Sequence, residues 1–244
     1  MTAEPGPAYQ MTPIADEKLL LDRVADQIRA AILGGAFAPG SRLSVPQLSR
    51  QLNVSRTPAR EALIRLQHEG LVRVIPRKGA VVLHGSSQDL VELFQFREAL
   101  EGMAARLAAR SMTDAEKASL RGIAQAHADA VYRGDLAAHL ALDTEFHSAI
   151  AAGSRNTRIK DELDKLRSQL VLLSRATSIT PGGMDQSVID AHEAIVTAID
   201  DGDPSEADHA ARAHVRGVLY LHQGRPAGRP RAGLAGPQRP GSGS

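Results

Sequence analysis

The 244-residue chain is long enough for about two domains of ordinary size, and its 43% hydrophobic content is sufficient for soluble cores. It has no cysteine, which excludes disulfides, thiolate nucleophiles and cysteine-based metal sites. It also has no secretory signal and no apolar run near the ~20 residues that cross a bilayer, so we expect a cytoplasmic protein without a membrane partner. The formal net charge of +1 includes +5 in residues 15–83 and −7 in residues 84–222, a division typical of a nucleic-acid-binding domain joined to a domain with another role.

The first region predicts three helices followed by a β-hairpin. Residues 1–14, rich in Pro, Gly and Ala, are expected to be disordered. Ser44–Gln47 predicts a capping box at the start of the second helix. The predicted elements are helices over 17–33, 44–52 and 55–69 and strands over 71–75 and 80–83. This order is that of a winged helix-turn-helix over residues 15–83.

The third predicted helix has one apolar face and one polar face. Arg56, Thr57, Arg60 and Gln67 lie on an arc about 120° from the apolar residues. Both arginines fall in the first two turns, where a helix that enters the major groove by its N-terminal end meets base edges. An arginine fork can bind guanine O6 and N7 together, so Arg56 and Arg60 are the predicted base-reading residues.

The remaining predicted DNA contacts flank that face. Ser55 and Thr57 are expected to bind phosphate and set the register. Lys78 and Gly79, in the predicted hairpin turn, are expected to approach the backbone or the minor groove. Exposed arginines alone would also fit an ordinary solvated helix face.

The second region predicts an antiparallel all-α bundle over residues 88–222, after a short linker at 84–87 and before a disordered tail at 223–244. The mainly helical fold class of the whole chain follows. Cap signals divide the bundle into helices over 88–110, 114–133, 135–152, 156–178, 184–201 and 204–221.

Four residues of the bundle form a candidate metal site. Asp143 and His147 are four residues apart on one predicted helix, so both side chains project from the same face. His192 and His214 lie on two further predicted helices, and helices of a bundle can aim such side chains at a common point. Asp/His pairs at this spacing are also common without a metal.

The first region resembles the DNA-binding domain of the GntR family of bacterial regulators. The resemblance rests on Gly40–Leu43, on the segment VSRTPAREAL at residues 54–63 and on Glu69–Val72, and it covers about seventy residues. It implies a homodimer that binds a pseudo-palindromic site in double-stranded DNA, with Arg56, Thr57, Arg60 and the wing residues Lys78 and Gly79 at the DNA. The arginine that many members have at the start of the second helix is missing here.

The second region resembles the ligand-binding FCD domain of the FadR branch of that family. The matching segments are Arg97-x-x-Leu100-Glu101, Asp143-x-x-Phe146-His147, His192-Glu193-x-Ile195-Val196 and His214-Val215. The resemblance implies a divalent ion, zinc or else nickel or manganese, held by Asp143, His147, His192 and His214. A small carboxylic acid would complete its coordination, because six helices resemble the VanR-type members rather than the acyl-CoA-binding ones.

The resemblance also suggests residues that bind this acid. Arg97 is the predicted carboxylate clamp, with a salt bridge to Glu101 as the alternative. Asn156 matches a family asparagine near the pocket, although Arg155 precedes it where the family usually has glycine. The other helical histidines are interpreted as surface or packing residues; these are His127, His139, His209 and His222.

These observations predict a ligand-responsive transcriptional regulator, a repressor rather than an enzyme. The same residues leave two alternatives open. One is a regulator for which the metal itself is the signal. The other is a metal-dependent hydrolase fused to a DNA-binding domain, with Glu145 and Glu193 as the nearby carboxylates.

Overall fold

The structure, a computed structural model, describes residues 17–176 and 186–222. The disorder expected for residues 1–14 and 223–244 lies outside the described residues. The described chain forms two compact units, one made of residues 17–90 and 164–176 and the other of residues 91–163 and 186–222.

The first unit contains the winged helix-turn-helix. Its elements are α1 (Glu17–Leu33), β1 (Arg42–Leu43), α2 (Val45–Gln51), α3 (Arg56–His68), β2 (Val72–Ile75) and β3 (Gly79–Val82). The three predicted helices and the hairpin are confirmed.

Helix α1 and helix α3 form the centre of this unit. Val24, Ile28 and Ile32 repeat at four-residue spacing on α1 and are buried with Leu63 and Leu66 of α3. Burying an aliphatic side chain of this size contributes roughly 1.5–3 kcal/mol, so these residues define the inner faces of both helices. The opposite face of α3 is left on the surface.

The sheet contains a strand that the sequence did not reveal. Residues interpreted as a turn include β1, which pairs antiparallel with β3 through Arg42–Val81 and Leu43–Ala80, giving the strand order β1-β3-β2. Two residues are too few to show an alternating pattern. The expected capping box is also wrong: Ser44 is the N-cap of α2 but its side chain accepts no hydrogen bond, and Pro46 has removed one of the amides it could have capped.

Gly79 is required by this sheet. Its φ is +94°, and a Cβ there would lie 2.1 Å from the Leu43 carbonyl oxygen. We therefore expect Gly79→Ala to lower the free energy of unfolding by about 2 kcal/mol or more, through positive-φ strain and the backbone clash. Urea denaturation would measure the loss.

Gly40→Ala is the matched control. Gly40 also has a positive φ of +80°, but a Cβ there meets nothing within 4 Å. It should show only the conformational cost of about 1 kcal/mol. Equal losses in the two variants would contradict the role of the Leu43 contact.

The helical region supplies the second unit through its residues 91–163 and 186–222. Its helices are α4 (Ser87–Ser111), α5 (Asp114–Tyr132), α6 (Leu136–Gly153), α7 (Thr157–Ala176), α8 (Gln186–Asp200) and α9 (Pro204–His222). Thr113 and Glu116 form the predicted capping box of α5, and Asp135 caps α6 by accepting from the Ala138 amide. All six predicted helices are present.

The C-terminal part of α7 groups with the winged helix-turn-helix rather than with the bundle. Leu172 is 1% exposed and belongs to the same hydrophobic core as Leu66. Gln169 donates from Nε2 to the backbone oxygen of Glu69 at 2.9 Å, which satisfies a carbonyl at the end of α3. This division of one amphipathic helix between two units was not predicted from the sequence.

Candidate functional site

Helix α3 exposes the residues predicted to contact DNA. Ser55, Arg56, Thr57 and Arg60 are all on the surface. The apolar face predicted for the same helix is buried, through Ala59, Ala62, Leu63 and Leu66. The helix begins after Ser55, so the first turn presents free backbone amides beside these side chains.

The two arginines have no intramolecular task among the residues that the structure describes. Neither Arg56 nor Arg60 makes a hydrogen bond or an ion pair there. Gln67, on the same predicted arc, instead accepts the Val74 amide at 2.8 Å and so supports β2. The surface open to a ligand is therefore the N-terminal part of α3.

The wing turn projects basic side chains. Arg77 has a positive φ of 62°, and both Arg77 and Lys78 are exposed. Gly79, predicted as a DNA contact, is half-buried against Leu43 in the sheet. The close approach to Leu43 is thus sufficient to explain a glycine at position 79. Lys78 is the exposed residue at the tip of the wing.

The four predicted metal ligands converge in the second unit. Asp143 and His147 come from α6, His192 from α8 and His214 from α9, and one ligand atom of each lies within 4.8 Å of all the others. Oδ1 of Asp143 is 3.7 Å from Nε2 of His147 and 3.6 Å from Nε2 of His192. Nε2 of His147 is 3.2 Å from Nε2 of His214.

His192 is the least satisfied member of this cluster. It is 1% exposed, and neither ring nitrogen has a hydrogen-bond partner among the described residues. Its ring stacks on Phe146 with centroids 4.2 Å apart. A buried polar group without a partner costs about 1–3 kcal/mol, which a bound cation would relieve.

The electrostatic environment favours the neutral form of His192 and His214. Burial, with the neighbouring imidazoles, lowers the pKa of His214 to about 3 and the pKa of His192 well below 6.5. Burial would raise the pKa of Asp143, but His147 and Arg97 more than offset it, so the pKa is lowered. Neutral imidazoles and an ionised carboxylate are the forms that bind metals.

The donor set and its spacing fit a divalent ion. Ligand atoms bound about 2.0–2.1 Å from one zinc ion in a tetrahedron lie about 3.3 Å apart. The three separations given above, 3.2–3.7 Å, are close to that value, and all the ligand atoms lie within 4.8 Å of one another. Nitrogen and oxygen donors without sulfur suit zinc, nickel and manganese alike.

Arg97 and Glu101 form a buried ion pair beside the cluster. Arg97 donates from Nε to Oε1 of Glu101 at 2.5 Å, the alternative that the sequence left open, and Oε2 of Glu101 lies 3.2 Å from Nδ1 of His147. Burial would raise the pKa of Glu101, but Arg97 and His147 outweigh it and hold that pKa well below 4.5. The second contact of Glu101 was not predicted.

Two more histidines, interpreted as surface or packing residues, lie next to the cluster. His127 and His139 are 0% and 2% exposed, and Nε2 of His127 is 2.8 Å from Nδ1 of His139. The His127 ring is 4.8 Å from that of His192. His139, Asp143 and His147 repeat every four residues on α6, and that spacing was the available signal.

Asn156 has a structural task at the start of α7. Its Oδ1 accepts the Ile159 amide at 3.2 Å, which caps the helix. Arg155, at the position where glycine is usual, has a φ of 57° and pairs with Glu116 at 2.6 Å. His209 is exposed, and the His222 side chain lies outside the described residues.

Protein-family profiles match both parts of the chain. The profile of bacterial regulatory proteins of the gntR family matches residues 20–82, and the FCD domain profile matches residues 92–217, more than half of the chain. The chain belongs to the GntR family of bacterial regulators. Its N-terminal helix-turn-helix is the DNA-binding domain of that family, and an FCD domain follows it.

Curated relatives of this GntR protein are transcriptional regulators. It is 32% identical over 209 residues to the probable D-xylose utilization operon transcriptional repressor of Paenarthrobacter nicotinovorans, covering 83% of this chain and 90% of the relative. It is 41% identical over 131 residues to an uncharacterized HTH-type regulator of Agrobacterium vitis, covering 51% and 75%.

Solved structures share the fold. E. coli McbR/YncC aligns with a TM-score of 0.69 at 24% identity, covering 84% of this chain and 97% of that one. A GntR regulator from Rhodococcus sp. RHA1 aligns with a TM-score of 0.65 at 22% identity, covering 84% and 98%. No helix among the described residues is long and apolar enough to span a membrane.

The buried histidines predict acid sensitivity of the metal-free protein. His127, His192 and His214 have lowered pKa values in the folded state, so between those values and 6.5 the unfolded chain binds more protons. As far as these histidines decide it, the free energy of unfolding is highest above about pH 6.5. It falls as the pH drops, by up to about 1.4 kcal/mol per pH unit for each histidine.

Urea denaturation of chelator-treated protein at pH 7, 6 and 5 would measure this slope. His192→Leu removes one of the three groups and should make the slope shallower. A free energy of unfolding that is constant from pH 7 to 5 would contradict the prediction.

Proposed function

We propose that this GntR regulator senses a small carboxylic acid at a divalent metal ion held by Asp143, His147, His192 and His214. The observation that carries the proposal is the convergence of three buried imidazoles and one carboxylate within 4.8 Å, with both nitrogens of His192 unpartnered. Zinc is the favoured ion, with nickel and manganese as the other candidates.

The output of this sensor is DNA binding by α3 and the wing. Arg56 and Arg60 read base edges, while Ser55, Thr57 and Lys78 bind the phosphate backbone, with Gly79 shaping the wing. The protein acts as a homodimer on a pseudo-palindromic operator, because two copies of one recognition helix require two related half-sites. The exposure of the N-terminal part of α3 supports this assignment.

The acid completes the coordination of the metal. Arg97 and Asn156 are the residues predicted from sequence to contact it, although Arg97 is engaged by Glu101 and Asn156 caps α7. Binding of the acid alters the affinity for the operator only if the acid binds two arrangements of the protein with different affinities. We expect repression that the acid relieves; relatives named as transcriptional repressors support the repression.

A regulator that responds to the metal alone is the second candidate, favoured by the compact and nearly complete donor set. It predicts operator affinity that follows metal concentration without any organic ligand. A hydrolase is less well supported, because Glu145 and Glu193 are exposed whereas the three histidines are buried.

A thermal-unfolding screen of the full chain tests the proposal. Zinc chloride alone should raise the unfolding temperature, and a member of a panel of small carboxylic acids should raise it further only when zinc is present. D-xylose, the sugar in one relative's name, is the neutral comparison. That acid should then change affinity for a DNA site selected from random sequence; no response to any metal would reject the proposal.

A further inference from the structure

A chain of three side chains leads from α4 to the metal cluster. Arg97 holds Oε1 of Glu101 at 2.5 Å, and Oε2 of Glu101 lies 3.2 Å from Nδ1 of His147. The side chains of Arg97, Glu101 and His147 are 13%, 8% and 6% exposed, so water competes little for these contacts. All three belong to the second unit.

The two nitrogens of His147 face different partners. Nε2 points into the cluster, 3.2 Å from His214 and 3.7 Å from Asp143, while Nδ1 faces Glu101. Oε2 of Glu101 has no aligned hydrogen bond among the described residues, so it still requires a donor, and Nδ1 is within reach. Both groups line one small cavity, together with Ile150.

We propose that Glu101 and Arg97 are positioning residues for the metal site: Arg97 orients Glu101, and Glu101 accepts the Nδ1 proton of His147, which leaves the Nε2 lone pair directed at the metal. The proposal rests on the metal site proposed above. A histidine that binds a metal commonly donates its other N–H to a carboxylate in this way. His192 has no such partner among the described residues, so this carboxylate preorients His147 and not His192.

This role differs from the carboxylate clamp predicted for Arg97. A clamp acts only on the organic acid, so Arg97→Met would leave zinc affinity in the absence of acid unchanged. A positioning role predicts weaker zinc binding in that variant with no acid present. The two roles are therefore separated by a measurement on zinc alone.

Glu101→Gln is the sharper substitution. Arg97 can only donate hydrogen bonds, so the amide oxygen of the glutamine turns toward Arg97 and the NH2 group faces Nδ1 of His147. That NH2 group favours the tautomer protonated at Nε2, which blocks the metal-binding nitrogen. We expect zinc affinity to fall about 10–100-fold, the usual effect of losing such a partner.

Glu98→Gln is the matched control. Glu98 lies on the same helix and pairs with Arg216 at 2.7 Å, away from His147. It loses one carboxylate charge and one ion pair, as Glu101→Gln does. Its zinc affinity should equal that of the unmodified protein.

The experiment combines zinc competition against a chromogenic chelator with nitrogen-15 NMR of the histidine rings in metal-free full-length protein. The expected result is Nδ1–H at His147 in the unmodified protein, Nε2–H in Glu101→Gln, and weaker zinc binding only in that variant and in Arg97→Met. Unchanged affinity, or weaker binding without the change of tautomer, would overturn the proposal.

If Glu101→Gln does not fold, Nε2–H at His147 in the unmodified protein would overturn it. Absence of zinc binding by the unmodified protein would instead reject the metal site, and the tautomer would still test the Glu101 contact.

Discussion

His192→Leu should abolish tight metal binding and leave the metal-free protein at least as stable as before. Leucine has nearly the volume of histidine, and it removes two buried nitrogens that have no partner. Removing an unsatisfied polar group recovers about 1–3 kcal/mol, which offsets the lost stacking on Phe146. A mutation that destabilises the protein could lose metal binding through unfolding. His192→Leu avoids this ambiguity because it should remove metal binding without lowering the free energy of unfolding.

The measurement compares urea denaturation with chelator and with excess zinc. Zinc at about 1,000 times its dissociation constant should add about 4 kcal/mol to the unmodified protein and little to His192→Leu. His209→Leu is the control, because His209 is exposed on α9 outside the cluster. A full equivalent of zinc retained by His192→Leu after purification would contradict the site.

Arg60→Ala should weaken specific DNA binding by about 1–3 kcal/mol and relax base preference at one position in each half-site. Arg60 is exposed on α3 and has no partner among the described residues, so its removal should not alter folding. Titration of a selected operator and of its single-base variants would measure both effects. Circular dichroism would check the fold.

Lys78→Ala provides the comparison for a backbone contact. Lys78 lies at the exposed wing tip, so its loss should weaken binding to all sequences alike and reduce the slope of log affinity against log salt by about 1. Arg60→Lys retains the charge but loses the planar fork, so it should keep nonspecific affinity and lose base preference. Unchanged operator affinity in Arg60→Ala would reject α3 as the reading element.

The periodic elements of this protein were predictable from the sequence. Val24, Ile28 and Ile32 on α1 follow the helical repeat, and Thr113 with Glu116 forms the predicted capping box of α5, because both signals lie within a few consecutive residues. The apolar face of α3 was predicted for the same reason. The metal candidates were identifiable because Asp143 and His147 are a local pair, because His192 and His214 lie on further helices of the same bundle, and because the family resemblance supports all four positions.

Only the tertiary structure decided the features that depend on contacts far apart in the sequence. The strand β1 forms because β3 offers it an edge, and Gly79 is needed because Leu43 lies against it. Glu101 could be matched locally to Arg97, but its approach to His147, 46 positions away, follows from the packing of α4 against α6. The periodicity of α4 predicts which of its side chains face the interior. The residues that those side chains contact are decided by the three-dimensional arrangement of the helices.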